Sequence, residues 1–249
     1  MPEIVPFAPG NYRFLSHAFQ YSGGVAADPG HSIVRARFAR PLPLAEGFAA
    51  IEAYLAALNR PVGAFCACEL RSPKQFSDTG FIAFNRHYVQ TLERWGHFRN
   101  EVNPVARSNV CPEIDPPAEP SFYAFCYTMP DAVAAGDFVI AGSGEAADGP
   151  RPYAERIVRL GDVSAAGMRD KARFVVGAME TRMSALGFNW STVTATQLYT
   201  VHDVYPAMAE EIIRPGTAPG GLTWHYARPP VEGLDLEIDV RGVRRELVI

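Results

Sequence analysis

One arginine and two glutamates are the side chains in this sequence that could act chemically on a small carboxylate. Arg107 stands in the segment PVARSNV over 104–110, and its planar guanidinium can grip a carboxylate through two parallel hydrogen bonds. Glu119 and Glu237 are candidate acid/base groups, because a carboxylate can relieve an attacking water of a proton. These residue types suit the hydrolysis of an imine or enamine whose carboxylate the arginine holds.

A glycine-containing strand end offers a second binding feature. Ser22 and Gly23 follow an early strand-like stretch, and a glycine there lets a ligand approach backbone N–H groups closely. We therefore include Ser22 and Gly23 among the candidate substrate-binding residues.

Metal and nucleotide chemistry have no matching motif in the sequence. The six histidines show no pair at metal-ligand spacing, and no phosphate-binding glycine motif occurs. The four cysteines, two of which are the closely spaced Cys66 and Cys68, are expected to be reduced and partly buried. We expect neither a metal nor an organic cofactor.

The composition is that of an ordinary globular protein of 249 residues, with 48% apolar residues and a formal net charge of −4. Its basic residues are scattered, so nucleic acid is not an expected partner. No uncharged apolar run reaches about 18 residues, and the N-terminus lacks a secretory pattern. A cytoplasmic protein without a membrane partner is expected.

The chain contains an internal repeat with an offset of 120 residues, because YSGGVAAD at 21–28 is echoed by AGSGEAAD at 141–148. Helical periodicity predicts helices over 44–58 and 81–95, and again over 168–186 and 204–213. The predicted strands that accompany them cover 65–70, 121–127, 192–198 and 234–240. Each copy therefore reads strand–strand–helix–strand–helix–strand, which predicts an α+β unit with helices on one face of a sheet. We divide the chain into 1–129 and 130–249, and expect the free sheet faces to be covered by oligomerisation.

These features resemble the Rid family, the reactive intermediate deaminases also called YjgF-like proteins. The segment around Arg107 looks like the family's Pro-Ala-Arg-Ser motif, and Ser22-Gly23 and Asn85 match further family positions. In the second copy, Ser143-Gly144 and the strand LEIDVRGV with Glu237 look like the family's corresponding strands.

The resemblance implies two tandem Rid/YjgF-like (chorismate mutase-like) domains, each a mixed sheet with helices on one face, whose sheets form a barrel in a homotrimer. It also implies that Arg107 and Asn85 bind a small carboxylate substrate. Active members of the family hydrolyse enamines or imines of 2-amino acids without a cofactor, and some relatives deaminate 2-aminomuconate in aromatic degradation. A cofactor-independent deaminase of the 2-aminomuconate type is therefore the expected function.

The two copies depart from the family pattern in different ways. Ser121 stands where the first copy should carry the functional glutamate, and the position matching the arginine in the second copy falls near Gly221. Each half thus retains part of one site. Two alternatives stay open: a chorismatase-like enzyme, and a non-catalytic trimer that binds a small ligand.

Assembly decides which glutamate serves the site. Two stacked rings of three like domains are the simplest closed arrangement, and in them Arg107 meets a neighbouring N-terminal copy, with Glu119 as the nearest carboxylate candidate. If the two copies instead face each other across a pseudo-two-fold axis, Glu237 joins Arg107 and the chemistry spans both halves. We expect the stacked rings.

Overall fold

The computed structural model describes residues 3–134 and 136–249, which form two β-sheets with helices outside them. The strands are β1 Ile4–Phe7, β2 Tyr12–Leu15, β3 Gly24–Ala27, β4 His31–Pro43, β5 Phe65–Arg71, β6 Ala106–Pro112, β7 Ser121–Pro130, β8 Phe138–Gly144, β9 Ala195–Tyr199, β10 Leu222–His225, β11 Ala227–Arg228, β12 Glu237–Gly242 and β13 Arg245–Val248. The helices are α1 Leu44–Ala57, α2 Asp78–Arg94, α3 Ala165–Leu186 and the short α4 Tyr205–Ala207, which continues as a π-helix over Met208–Ile213.

Each sheet takes strands from both halves of the chain. The first sheet has the order β1-β2-β3-β8-β12-β9-β10, and the second has the order β11-β6-β5-β7-β4-β13. The N-terminal strands β1–β3 thus join the sheet of the second half through the pairing of β3 with β8, while β11 and β13 return to the sheet of the first half. The predicted boundary at 129/130 therefore does not coincide with the division between the sheets.

The internal repeat lies at the centre of the first sheet. Strand β3 from the first repeat segment runs antiparallel to β8 from the second, with Gly24 opposite Ile140 and Val25 opposite Val139. This pairing brings the two copies together inside one chain.

Hydrophobic packing divides the molecule into four layers. Helices α1 and α2 pack on the second sheet through a cluster that includes Ile51, Leu55 and Leu92. Helix α3 packs on the first sheet through Met168, Val175 and other residues of the stripe that helical periodicity predicts.

A third apolar cluster lies between the two sheets. It contains Tyr12 and Val25 from the first sheet and Cys66, Ala106 and Cys126 from the second. The expectation that oligomerisation covers the free sheet faces is therefore corrected, because the two sheets of one chain cover each other. In the described part of the chain both sheets are open, and neither closes into a barrel.

Candidate active site

A cavity of about 680 Å³ opens where the two halves of the chain meet. Its walls come from the loop after β2, the start of α2, strands β6, β8 and β12, the loop over 146–156, and helix α3. The polar side chains on its walls are His17, Gln20, Tyr21, Asp78, Thr79, Arg107, Asn109, Ser143, Asp148, Arg151, Tyr153, Arg156, Arg182 and Glu237.

Arg107 is a buried cation with two unsatisfied nitrogen atoms. It is the second residue of β6, opposite Cys68 of β5, and only 3% of it is exposed. Within the described residues, no group accepts a hydrogen bond from its Nη1 or Nη2. A buried guanidinium left in this state is costly, and two free terminal nitrogens are what a bidentate carboxylate requires.

Four aromatic rings surround the Arg107 guanidinium, and two of them, Tyr21 and Phe81, line the cavity. The Cζ atom lies 4.8 Å from the centre of the Tyr88 ring and 5.3 Å from that of Tyr21. Phe81 and Phe84 lie at 5.8 and 5.5 Å. Ring faces at these distances attract a cation, but they leave the hydrogen-bonding edge of the guanidinium free.

Glu237 begins β12 and points its carboxyl group into the same cavity. The residue is 4% exposed and pairs with Gly144 of β8 and Tyr199 of β9. Burial, followed by the negative charge of Asp239, raises the pKa of Glu237 well above its ordinary value, and the opposing effect of Arg107 is smaller. The carboxyl group therefore retains its proton to higher pH than an exposed glutamate and suits the role of proton donor.

Gly142 makes room for the Glu237 carboxyl group. A Cβ atom on Gly142 would collide with Oε1 of Glu237 and would approach the Cβ of Ser108, the neighbour of Arg107, to 3.1 Å. A side chain at position 142 would displace the Glu237 carboxyl group, so the glycine leaves free the space in which that group lies.

Sequence reasoning did not identify most of the polar residues of the cavity, and Asn109 and Arg182 are two of them. Asn109 lies two residues after Arg107 on β6, so it faces the same side of the sheet. Its Oδ1 accepts from Ser72 at 2.9 Å, and its buried Nδ2 has no acceptor within the described residues. The alternation of side chains along a strand was the signal that could have found it. Arg182 comes from α3, and no local pattern links it to Arg107.

His17 and Tyr21 enter the cavity from the loop after β2. Burial and the positive charge of Arg182 lower the pKa of His17 to about 4, against a smaller opposing effect of Asp148, whose Oδ1 lies 3.7 Å from Nε2. Burial raises the pKa of Tyr21. Both side chains are therefore uncharged near neutral pH, which leaves the arginines as the cationic groups beside them.

The structure brings together Arg107 and Glu237 but gives the other predicted binding residues supporting positions. Asn85 is buried in α2, where its Nδ2 donates to the Phe81 carbonyl at 2.6 Å, and it does not line the cavity. Ser22 is fully buried, and its N–H donates to Val105 at 2.9 Å. Gly23 lines an adjoining cavity beside Arg182. These residues hold the strands and the helix that carry the site.

Within one chain Glu119 lies away from Arg107 and does not line the cavity, so its predicted approach to Arg107 of a neighbouring copy stays a prediction. It stands in the loop before β7 and lines a separate surface groove with Arg71 and Tyr123. Arg107 is near the start of β6, whereas this loop follows the strand's end, about 15 Å further on for an extended chain. Within one chain it is Glu237, from the second half, that lines the same cavity as Arg107.

The described residues contain neither a metal-ligand cluster nor a membrane-spanning helix. Over residues 3–134 and 136–249, no group of three or more histidine, cysteine, aspartate or glutamate side chains could hold a metal ion. In the same ranges, no helix is long and apolar enough to cross a membrane.

Comparison with known proteins places this chain in a family. The sequence model of the family described as 2-aminomuconate deaminase CnbZ matches residues 4–247. The chain is 52% identical over 251 residues to the 2-amino-5-chloromuconate deaminase of Comamonas testosteroni, with both chains fully covered.

Among solved structures, a chorismatase is similar with a TM-score of 0.49 and 10% identity, over 88% of this chain and 77% of that one. The E. coli YjgF gene product is similar with a TM-score of 0.32 and 17% identity, over 44% and 81% of the two chains. The family match and the full-length relative show that the chain belongs to the CnbZ family of 2-aminomuconate deaminases.

Proposed function

We propose that this protein hydrolyses a 2-aminomuconate-type substrate to the corresponding 2-oxo acid and ammonia, as a step in the breakdown of aromatic compounds. Such a substrate is an unsaturated dicarboxylate that carries an amino group next to one carboxylate. The observation that carries the proposal is the pairing, in one cavity, of Arg107 with two unpartnered nitrogens and of Glu237 with a raised pKa. The family membership and the name of the relative agree with it.

Arg107 holds the carboxylate that neighbours the amino-bearing carbon. Its two free nitrogens form parallel charge-assisted hydrogen bonds with the two carboxylate oxygens. This fork fixes both the position and the plane of the adjacent carbon, which an ammonium group on a lysine would not do. The rings of Tyr21 and Tyr88 keep the guanidinium in place behind the substrate.

Glu237 moves the proton. The protonated carboxyl group donates its proton to a carbon of the enamine system, and the electron pair of the C–N unit shifts to form an iminium ion. The resulting carboxylate then takes a proton from a water molecule as the water oxygen bonds to the iminium carbon.

Ammonia leaves in the last step. The nitrogen of the adduct accepts a proton from Glu237, the C–N bond breaks with its electron pair on nitrogen, and the hydroxyl group becomes the carbonyl as it returns its proton to the Glu237 carboxylate. One water is consumed and one ammonia is formed, with no oxidation or reduction. The route therefore requires neither a metal ion nor an organic cofactor. Asn109 offers a further donor to the oxygen atoms of the bound molecule.

Ammonia release from 2-aminomuconate and from 2-amino-5-chloromuconate tests the proposal. We expect Glu237→Gln to lower kcat by roughly 100-fold or more, because the amide cannot donate and recover the proton. Arg107→Lys should lose about 2 kcal/mol of transition-state stabilisation, seen as a roughly 30-fold loss in kcat/KM. Glu119→Gln is the matched control and should retain full turnover.

Three outcomes would overturn the assignment. Near-normal catalytic efficiency in Arg107→Lys would show that the two parallel hydrogen bonds from Arg107 to a carboxylate are not needed for the reaction. Loss of turnover in folded Glu119→Gln, with Glu237→Gln active, would assign the acid/base role to Glu119 in the loop before β7. Binding of the substrate by the unaltered protein without any ammonia release would identify a binding protein instead of a deaminase.

A further inference from the structure

Arg182 is a second arginine of the cavity, and no carboxylate among the described residues pairs with it. Arg182 lies near the end of α3 and is 9% exposed. Its Nη1 donates to the carbonyl of Ala141 at 3.1 Å and more weakly to that of Gly142 at 3.5 Å. Among the residues that the structure describes, its Nε and Nη2 make no hydrogen bond, and no carboxylate lies within salt-bridge distance of it.

The exposed Arg173 on the same helix shows what an arginine in this fold does when a carboxylate is within reach. Arg173 is paired with Glu211 through two hydrogen bonds of 3.1 and 2.6 Å, and with Asp170 at 3.1 Å. Arg182 is far more buried, so its missing counter-charge costs more. A buried, uncompensated cation on a cavity wall is therefore a binding group for an anion.

Gly142 lies next to both Arg182 and the Glu237 carboxyl group. Its carbonyl accepts from Arg182, and a Cβ built on its Cα would meet both the Glu237 carboxyl group and the Cβ of Ser108, the neighbour of Arg107. The two arginines thus approach Glu237 from the β8 side and from the β6 side. A ligand that carries a carboxylate at each end would neutralise both arginines and would lie across the Glu237 carboxyl group.

We propose that Arg182 binds the distal carboxylate of the substrate and selects dicarboxylates over monocarboxylates. This inference rests on the proposed function, in which Arg107 holds the carboxylate next to the amino-bearing carbon. The free Nε and Nη2 supply the two donors of the second grip. With both ends of the molecule held, the diene between them has a fixed position relative to Glu237.

Binding of two unreactive diene acids tests the inference without turnover. Muconate has two carboxylates, and sorbate has the same six-carbon diene with one. Isothermal titration should show that the unaltered protein binds muconate about 10- to 100-fold more tightly than sorbate, as expected for one charge-assisted grip. In Arg182→Met this preference should fall to within about twofold of equality, while sorbate affinity changes little. Arg173→Met, the same substitution on the exposed face of α3, should leave the preference unchanged.

A second variant covers the possibility that Arg182→Met does not fold, since Nη1 supports the β8 backbone. Arg182→Lys retains the charge but has no planar fork, and its preference for muconate should fall several-fold. A full preference for muconate in either folded variant overturns the inference. Deaminase activity tests the proposed function separately. If the protein shows the Arg182-dependent preference for muconate but releases no ammonia from 2-aminomuconate, the role of Arg182 in binding stands and the proposed deaminase reaction is wrong.

Discussion

The proton on Glu237 determines the pH range in which the site can work. Because burial raises the pKa of this carboxyl group, the donor form persists above the usual range and is lost as pH rises through the raised pKa. We expect kcat/KM to be level below that pKa and to fall about tenfold per pH unit above it. Glu237→Asp should move the alkaline limb, and the residual activity of Glu237→Gln should lack it. A kcat/KM that rises with pH through the same region would show that the carboxylate form is the reactive one.

At this scale the sequence predicts the types of residue but not which of them meet. Arg107 and Glu237 could be named from their local segments, because a motif and a strand pattern surround each of them. The choice between Glu119 and Glu237 could not be made, since the expected stacked rings favoured Glu119, whereas strand pairing within one chain places Glu237 in the cavity. Arg182 could not be identified from the sequence for the same reason, because its place in the cavity depends on how α3 packs on β8.

A buried ion-pair network connects strands of the two sheets. Glu69 on β5 accepts from Arg35 on β4 at 2.6 and 2.9 Å. Arg35 and Arg241 on β12 both donate to Glu246 on β13, at 3.1 and 2.6 Å. Although burial acts to raise it, the pKa of Glu69 falls to about 2, chiefly because of the Arg35 charge and hydrogen bonds.

The depressed pKa of Glu69 makes a stability prediction. Its stabilising contribution is fully present above the ordinary value of 4.5 and is lost as pH falls toward about 2. Glu69→Gln should lower the free energy of unfolding at pH 7 by about 3 kcal/mol, because Arg35 stays buried with less compensation. The variant should also lose stability less steeply between pH 5 and 3 than the unaltered protein. Urea unfolding at pH 7, 5 and 3 measures both effects.

The exposed pair of Arg86 and Glu101 provides the control for this experiment. The two side chains approach to 2.7 Å, but each is about half exposed or more. Glu101→Gln should therefore leave the free energy of unfolding unchanged within the error of the measurement. Equal effects of the two glutamine substitutions would show that the buried network adds nothing to stability.

At the scale of elements, local periodicity predicted the long helices well. The stripes predicted over 44–58, 81–95 and 168–186 correspond to α1, α2 and α3, with shifts of three residues or fewer at their ends. Strand pairing was beyond reach, because register and neighbours are set by contacts between distant segments. The long β4 and the return of β13 to pair with it illustrate this limit.

At the scale of the whole molecule, one chain contains both sides of the cavity, so the site needs no second copy to bring Arg107 and Glu237 together. The sheets nevertheless end in open edges. Strand β10 carries the half-exposed Trp224, and the C-terminal strand β13 exposes Leu247 and Val248. Open strand edges with apolar side chains tend to pair with another chain, which favours assembly of complete chains over exchange of half-sites.

Three-fold assembly remains the expected state, since closed rings of identical chains satisfy such edges symmetrically. Light scattering should give three chains of 27.2 kDa each, about 82 kDa. Leu247→Lys combined with Val248→Lys should weaken the assembly if the β13 edge forms the contact, because lysines on an edge strand oppose pairing. Since Arg107 and Glu237 share one chain, the dissociated variant should retain ammonia release and the preference for muconate. A monomer or dimer mass for the unaltered protein contradicts the trimer, and loss of activity on dissociation contradicts a site contained within one chain.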